Sequence, residues 1–298
     1  MTPESTLRAD IVEVGRRMYA RGYTASNDGN ISVRLGSDRL VMTPKSVCKG
    51  FMTPDMMCIT DLDGKKLQGD RDPSSEMLMH LEVYRQRPDV QAVVHAHPPT
   101  ATGFAVAGIP LDRAVLAEVI ATLGSIPIAE YATPSTRELP DAVRKYIKAH
   151  DGMLLANHGA LTVGADLYAA YYKMETIEHF AKISLVARLL GGENLISRDE
   201  VLRLQELRGT YGIKAPAPIC ADPSTFLGAG GSTEGGAGDL TDPATCQAVQ
   251  APAGGGARLV PNAVQRAVEA AQHNAEGEIR LTYRELSALI EDAIRSLR

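Results

Sequence analysis

Apolar positions recur at two different spacings along the first 214 residues, and the spacing changes from segment to segment. Leu7, Ile11, Val14 and Met18 fall three to four apart, the spacing of one helix face, and Gly22 follows, so a first helix is predicted to end near Arg21. Strand-like pieces come next at 30–35, 39–43 and 57–60, and Asp63-Gly64 carries turn chemistry. A helix is predicted over 75–86, stopped by Pro88. DVQAVVHAH reads as a buried strand closed by Pro98 and Pro99. Further helices are predicted over 100–107, 137–149, 165–190 and 198–208, and strands near 125–130 and 153–156. Short strands mixed with helices indicate a layered α/β domain over 1–214.

After Gly212 the pattern disappears. Residues 215–257 are rich in Ala, Pro, Gly, Ser and Thr and contain GAGGSTEGGAGD and APAGGGA. Such a segment buries too little apolar surface to offset its ordering entropy, so it is predicted to be a flexible linker. Periodicity returns in 258–298, where Leu286, Leu289, Ile290, Ile294 and Leu297 form one apolar stripe of a helical tail. That tail reads either as a docking helix or as a helix that folds back on its own core.

Composition adds exclusions. With 44% hydrophobic and 22% charged residues, the 298-residue chain is an ordinary globular sequence. Its formal net charge is −5 and no basic block stands out, which argues against a nucleic-acid partner. Cys48, Cys58, Cys220 and Cys246 are far apart without CxxC spacing, so free thiols and a reducing compartment are expected. The first 22 residues hold no apolar signal core, and no run of about 18 apolar residues follows, so a membrane span is not expected and the cytoplasm is the default location.

The candidate chemistry lies in three stretches. In VVHAHPPT, His95 and His97 sit two apart, so a strand would project both from one face. Two neutral imidazoles so placed suit a divalent metal, zinc above all, although a chance pair of ordinary histidines fits equally well. In MLLANHGA, His158 is delivered to a tight turn marked by Gly159. Alone it would read as a core histidine, yet it completes the three-ligand count of a catalytic zinc site. In DPSSEMLMH, Ser74 or Ser75 can cap the helix, and its N-terminus with the two hydroxyls suits a phosphate. Glu76 then falls in the first turn, either as favourable dipole placement or as an acid/base beside the metal. His80, one turn further on, reads as structural, and His179 as helix surface or an outer residue.

SNDGNIS (26–32), TPKS (43–46), PSSE (73–76), HAH (95–97), YATPSTREL (131–139), ANHG (156–159) and TYG (210–212), in this order, resemble the class II aldolase/adducin-head family and within it the L-fuculose-1-phosphate aldolase group. The resemblance implies a single three-layer αβα domain with a central, mainly antiparallel sheet. It implies a homotetramer with active sites between subunits. It implies one zinc per subunit held by His95, His97, His158 and Glu76, with Glu76 also the acid/base. Phosphate would sit among Asn30, Thr43, Ser74 and Ser75, with backbone N–H groups near Lys45 and Ser46. Tyr211 would close over a neighbouring site. The implied reaction is retro-aldol cleavage of a phosphorylated ketose to dihydroxyacetone phosphate and lactaldehyde or a similar aldehyde.

Two departures accompany the resemblance. The family carries Gly where Ser46 stands, and IPLDRAVLAEV lacks the tyrosine of the fuculose enzyme, leaving Arg113 or Glu118 to cover its role. The tail at 258–298 resembles the encapsulation peptides that address enzymes to bacterial microcompartments, so shell or cargo proteins are expected partners. Rival readings are a sugar-phosphate 4-epimerase, a methylthioribulose-1-phosphate dehydratase and a non-enzymatic adducin-like assembly module. Glu at 76 and the complete histidine set speak against the first and last of these.

Overall fold

The computed structural model describes residues 2–210 together with Ile213 and Ile219. The expected linker at 215–257, apart from Ile219, the tail at 258–298 and Tyr211 lie outside the described residues.

Eight strands form one sheet: β1 (Asn30–Leu35), β2 (Arg39–Met42), β3 (Cys58–Asp61), β4 (Lys66–Gln68), β5 (Ala92–Ala96), β6 (Ile128–Ala129), β7 (Gly152–Leu155) and β8 (Gly159–Gly164). Their order across the sheet is β4-β3-β2-β1-β5-β8-β7-β6. Every pairing is antiparallel except that of β6 with β7. The helices are α1 (Glu4–Ala20), α2 (Met77–Gln86), α3 (Pro99–Ala107), α4 (Ala117–Thr122), α5 (Glu138–Ile147), α6 (Leu167–Leu189) and α7 (Arg198–Thr210).

Alternation along the strands divides the core in two. Ile31, Val94 and Ala160 face a cluster with Ile11, Val14 and Met18 of α1, Phe104 of α3 and Tyr171, Met174 and Ile177 of α6. Val93, Leu161 and Val163 face Leu81 and Tyr84 of α2 and Val143, Tyr146 and Ile147 of α5. This is the three-layer αβα domain with a central, mainly antiparallel sheet that the family resemblance implies. Tyr171, Ile31 and Leu81 are wholly buried, and truncating such a side chain to alanine costs roughly 2–5 kcal/mol.

Several boundaries differ from the periodicity. The strand predicted near 125–130 is the two-residue β6. The helix predicted over 75–86 begins at Met77, with Glu76 at its N-cap position and no side-chain cap. Neither Ser74 nor Ser75 caps α2; the Ser74 Oγ instead accepts the Glu76 N–H at 3.3 Å in the turn before the helix. Among the elements, α4 and β4 were too short to show a period, and β8 is hidden because only three residues separate it from β7.

Candidate functional site

The topology carries four distant residues to one spot. His95 is in the central strand β5, wholly buried, with Asn30 of β1 opposite it on one side and Leu161 of β8 on the other. His97 follows the strand, and its backbone N–H donates to the Tyr23 carbonyl at 2.9 Å. His158 lies in the turn between β7 and β8, after Asn157 in the left-handed region at φ 54°. A Cβ on Gly159 would stand 2.5 Å from the Ala96 carbonyl oxygen and 2.6 Å from the His97 ring, so only glycine lets this turn close against β5. Glu76 arrives from the N-terminus of α2.

The three imidazole rings form a nearly equilateral triangle, with centroids 4.9 Å (His95–His97), 4.7 Å (His95–His158) and 5.0 Å (His97–His158) apart. One nitrogen from each lies within 4.8 Å of the other two. The Glu76 Oε1 is 3.0 Å from the His158 Nε2, and its Oε2 is 3.3 Å from the His95 Nε2. The outer nitrogens fix the tautomers of His95 and His97. The His95 Nδ1 faces the Ala160 carbonyl at 2.9 Å, and a carbonyl only accepts, so the proton is on Nδ1 and a lone pair on Nε2. The His97 Nδ1 lies 3.5 Å from the Asp28 carboxylate, which holds the proton there in the same way. The two Nε2 atoms then face one another at 3.1 Å with lone pairs opposed. That contact is repulsive unless a cation or proton lies between them.

Electrostatics agrees with a cation. Burial pushes the His95 imidazole well below its usual pKa and lowers that of His97, so both stay neutral near pH 7. Burial opposes ionisation of Glu76, but the neighbouring His95 and His158 imidazoles and the hydrogen bond from the Asn30 amide favour the carboxylate, outweigh burial and hold the carboxyl well below the usual range. Three imidazoles and one carboxylate are a donor set that fits a divalent metal of the zinc type.

The predicted phosphate residues also gather. A bridge between Pro44 and Pro73 joins the 43–46 loop to the segment before α2, and the Ser74 N–H donates to the Thr43 carbonyl at 3.2 Å. Thr43 is buried and its Oγ1 accepts the Ile31 N–H at 3.1 Å; Ser74 is nearly buried, whereas Lys45, Ser46 and Ser75 are exposed. Ser46 has φ 57°, so the loop keeps the left-handed conformation that suits glycine even though a serine stands there. Asn30 departs from the expected picture. Its amide nitrogen donates to the Glu76 Oε2 at 2.7 Å, and its oxygen faces His80. Arg113 is engaged by Glu193 at 2.7 Å. His179 is exposed and lines a cavity of about 830 Å³ with Arg21, Tyr23, Glu118 and Glu178.

Two residues beside the site were not singled out by sequence. Asp28 orients His97, and its place in SNDGN, next to Gly29, was the available signal. Lys49 is 2% exposed, and its Nζ donates to the Asn27 carbonyl at 3.0 Å and the Val47 carbonyl at 2.6 Å, tying together the two loops that flank the site. Burial pushes its amine down to about 8, against the opposite pull of Cys48, Asp28 and Glu76. Between that value and the ordinary 10.5, the unfolded chain keeps a proton that the folded chain has shed, so stability rises with pH across this window. Denaturant melts of the native protein and of Lys49→Met at pH 8 and pH 10 check this. The stability difference between them is expected to move in favour of the native protein by on the order of 2 kcal/mol; a constant difference contradicts it.

The pattern of the class II aldolase and adducin N-terminal domain family matches residues 9–185. The chain is 34% identical over 207 residues to the 5-deoxy-D-ribulose 1-phosphate aldolase of Bacillus thuringiensis serovar kurstaki, covering 69% of this chain and 96% of that one. It is 30% identical over 190 residues to the 3-oxo-tetronate 4-phosphate decarboxylase of Pectobacterium atrosepticum, covering 62% and 87%. Its fold superposes on a solved L-fuculose 1-phosphate aldolase with a TM-score of 0.64 at 31% identity, over 69% of this chain and 97% of that one. With one family matched across most of its described domain, and with a sheet that brings three histidines and a glutamate together, the chain belongs to the class II aldolase and adducin N-terminal domain family.

Proposed function

We propose that this class II aldolase-type lyase cleaves a ketose 1-phosphate by a metal-dependent retro-aldol reaction, giving dihydroxyacetone phosphate and a small aldehyde such as lactaldehyde. The observation that carries the reading is the convergence of His95, His97, His158 and Glu76 on one point. The three histidines, with Glu76 in the resting state, would hold one zinc ion per chain. When bound, that ion supplies Lewis-acid polarisation of the substrate carbonyl.

The chain's own residues do the rest. Breaking the carbon–carbon bond turns the hydroxyl beside it into the aldehyde and releases that hydroxyl's proton, while the electron pair stays on the carbon next to the ketose carbonyl. Glu76, a carboxylate at rest, is placed to take up a proton and hand it to that carbon. In the reverse direction its carboxylate removes the same proton. Thr43, Ser74, Ser75, Lys45 and the backbone around Ser46 would hold the phosphate, fixing the ketose so that its carbonyl meets the histidine cluster. Asn30 keeps one amide hydrogen beyond its bond to Glu76 and can contribute to the same task. Tyr211 would close over the site of a neighbouring subunit in a homotetramer, and the 258–298 tail would address the protein to a microcompartment.

The decarboxylase relative supports a second reading. Loss of carbon dioxide from a 3-oxo acid phosphate leaves the same kind of electron pair next to a carbonyl, and the same proton delivery by Glu76 completes it. A panel of L-fuculose 1-phosphate, 5-deoxy-D-ribulose 1-phosphate and 3-oxo-tetronate 4-phosphate, with products identified by mass spectrometry, separates the two. Aldehyde formation from a ketose 1-phosphate is expected. Carbon dioxide from the keto acid without aldehyde from either ketose overturns the aldolase reading, and epimerised or dehydrated product without cleavage overturns both.

A further inference from the structure

Behind Glu76, four polar side chains occupy positions where the α2–sheet interface would ordinarily be apolar. Asn30 and Ser32 are two apart on β1 and share a face. His80 and Tyr84 are four apart on α2 and share a face. All four are almost wholly buried. They form one unbroken chain: the Tyr84 hydroxyl to the Ser32 Oγ at 2.9 Å, the Ser32 Oγ to the His80 Nδ1 at 2.7 Å, the His80 Nε2 to the Asn30 Oδ1 at 2.5 Å, and the Asn30 Nδ2 to the Glu76 Oε2 at 2.7 Å.

The carboxylate at one end fixes the sense of every link. An ionised carboxylate only accepts, so Asn30 must turn its NH₂ toward Glu76 and its oxygen toward His80. That oxygen needs a donor, so the His80 Nε2 carries the ring proton. The Nδ1 is then an acceptor and takes the Ser32 hydroxyl proton. The Ser32 oxygen in turn takes the Tyr84 proton, which is shared with the Ser32 carbonyl at 2.9 Å. Burial pushes His80 down to about 4, which keeps the ring in this neutral form at ordinary pH.

We propose that His80, held by Ser32 and Tyr84, is a positioning residue for Glu76: its single Nε2–H locks the Asn30 amide with NH₂ facing the carboxylate and excludes the flipped amide. A flipped Asn30 would set its oxygen against the Glu76 oxygens and push the carboxylate away from the histidine cluster. The proposal rests on the reading of Glu76 as the group that moves the proton. It accounts for a histidine that touches no candidate ligand yet stands in the middle of the buried chain leading to one.

Three measurements test it. In the metal-free protein, long-range ¹H–¹⁵N correlation of the histidine rings, with the His80 signal assigned by its loss in His80→Gln, is expected to show a proton on Nε2 and a lone-pair Nδ1. A proton on Nδ1 overturns the proposal whatever the enzyme's activity. In the zinc-loaded protein, His80→Leu is expected to lower kcat for the cleaved ketose phosphate by about tenfold or more while KM changes little. His80→Gln, whose amide can donate to Asn30 and accept from Ser32, is expected to recover most of that loss. Equal loss in both variants, or a change confined to KM, overturns the proposal. Should His80→Leu fail to fold, the wild-type tautomer and the activity of His80→Gln decide. Failure of the Glu76 reading itself would show separately, as full activity in Glu76→Gln.

Discussion

Glu76→Gln is expected to lower kcat by about 10²- to 10⁴-fold, the usual contribution of a positioned acid or base, with KM for the ketose phosphate nearly unchanged. Glutamine has the same shape and can still lie against Asn30, so the core behind it is kept. What it lacks is an oxygen that can take and return a proton near pH 7. The carboxylate reaches this position because it leaves its own helix uncapped: Glu76 is the N-cap residue of α2, yet its oxygens face His158, His95 and Asn30 rather than the helix N–H groups. KM should hold because Thr43, Ser74 and the 45–46 loop, the proposed phosphate contacts, are untouched. Steady-state kinetics on the cleaved substrate checks this. A kcat within threefold of the native value would remove Glu76 from the chemistry.

His97→Ala is the second large effect. Three protein ligands are the minimum of a catalytic zinc site, so loss of one is expected to weaken zinc affinity by at least about 100-fold, more than loss of an outer-shell partner does, and to remove most activity. His97 is the informative choice among the three because it is only partly buried, whereas His95 is wholly buried in the central strand. Replacing His95 would confound ligand loss with a core cavity. Competition with a chromophoric chelator measures the affinity, and a melting curve on the metal-free variant confirms the fold. Unchanged affinity would mean that His97 belongs to the fold alone.

Much of the site was legible because its residue types sit at punctuated ends of elements. His95 and His97 stand before Pro98 and Pro99, His158 before Gly159 and Glu76 before the apolar run of α2, and each punctuation has a visible structural reason. The sheet then converts four separate signals into one point, which no local spacing could do: β5 lies between β1 and β8, and α2 meets β1 where His80 and Tyr84 bond to Ser32. What stayed hidden depends on pairing across that sheet. The family resemblance implies Asn30 as a phosphate contact, but only its place opposite His95 at the start of β1 reveals that its amide also reaches Glu76. His80 and Tyr84 read as helix filler until Ser32 is set against them. Lys49, flanked by Cys48 and Gly50 with nothing in the local pattern to mark it, turns inward and donates to two loop carbonyls. Strand β8 and helix α4 escaped for the simpler reason of length and proximity.

The proposed function requires that three imidazoles and one carboxylate hold a single cation. Anomalous diffraction from zinc-loaded crystals, recorded on both sides of the zinc absorption edge, tests it most directly. One peak per chain, equidistant at about 2.0–2.1 Å from one nitrogen of each of His95, His97 and His158 and next to Glu76, is the predicted result. Zinc bound elsewhere, or an empty triangle at saturating zinc, would contradict the account.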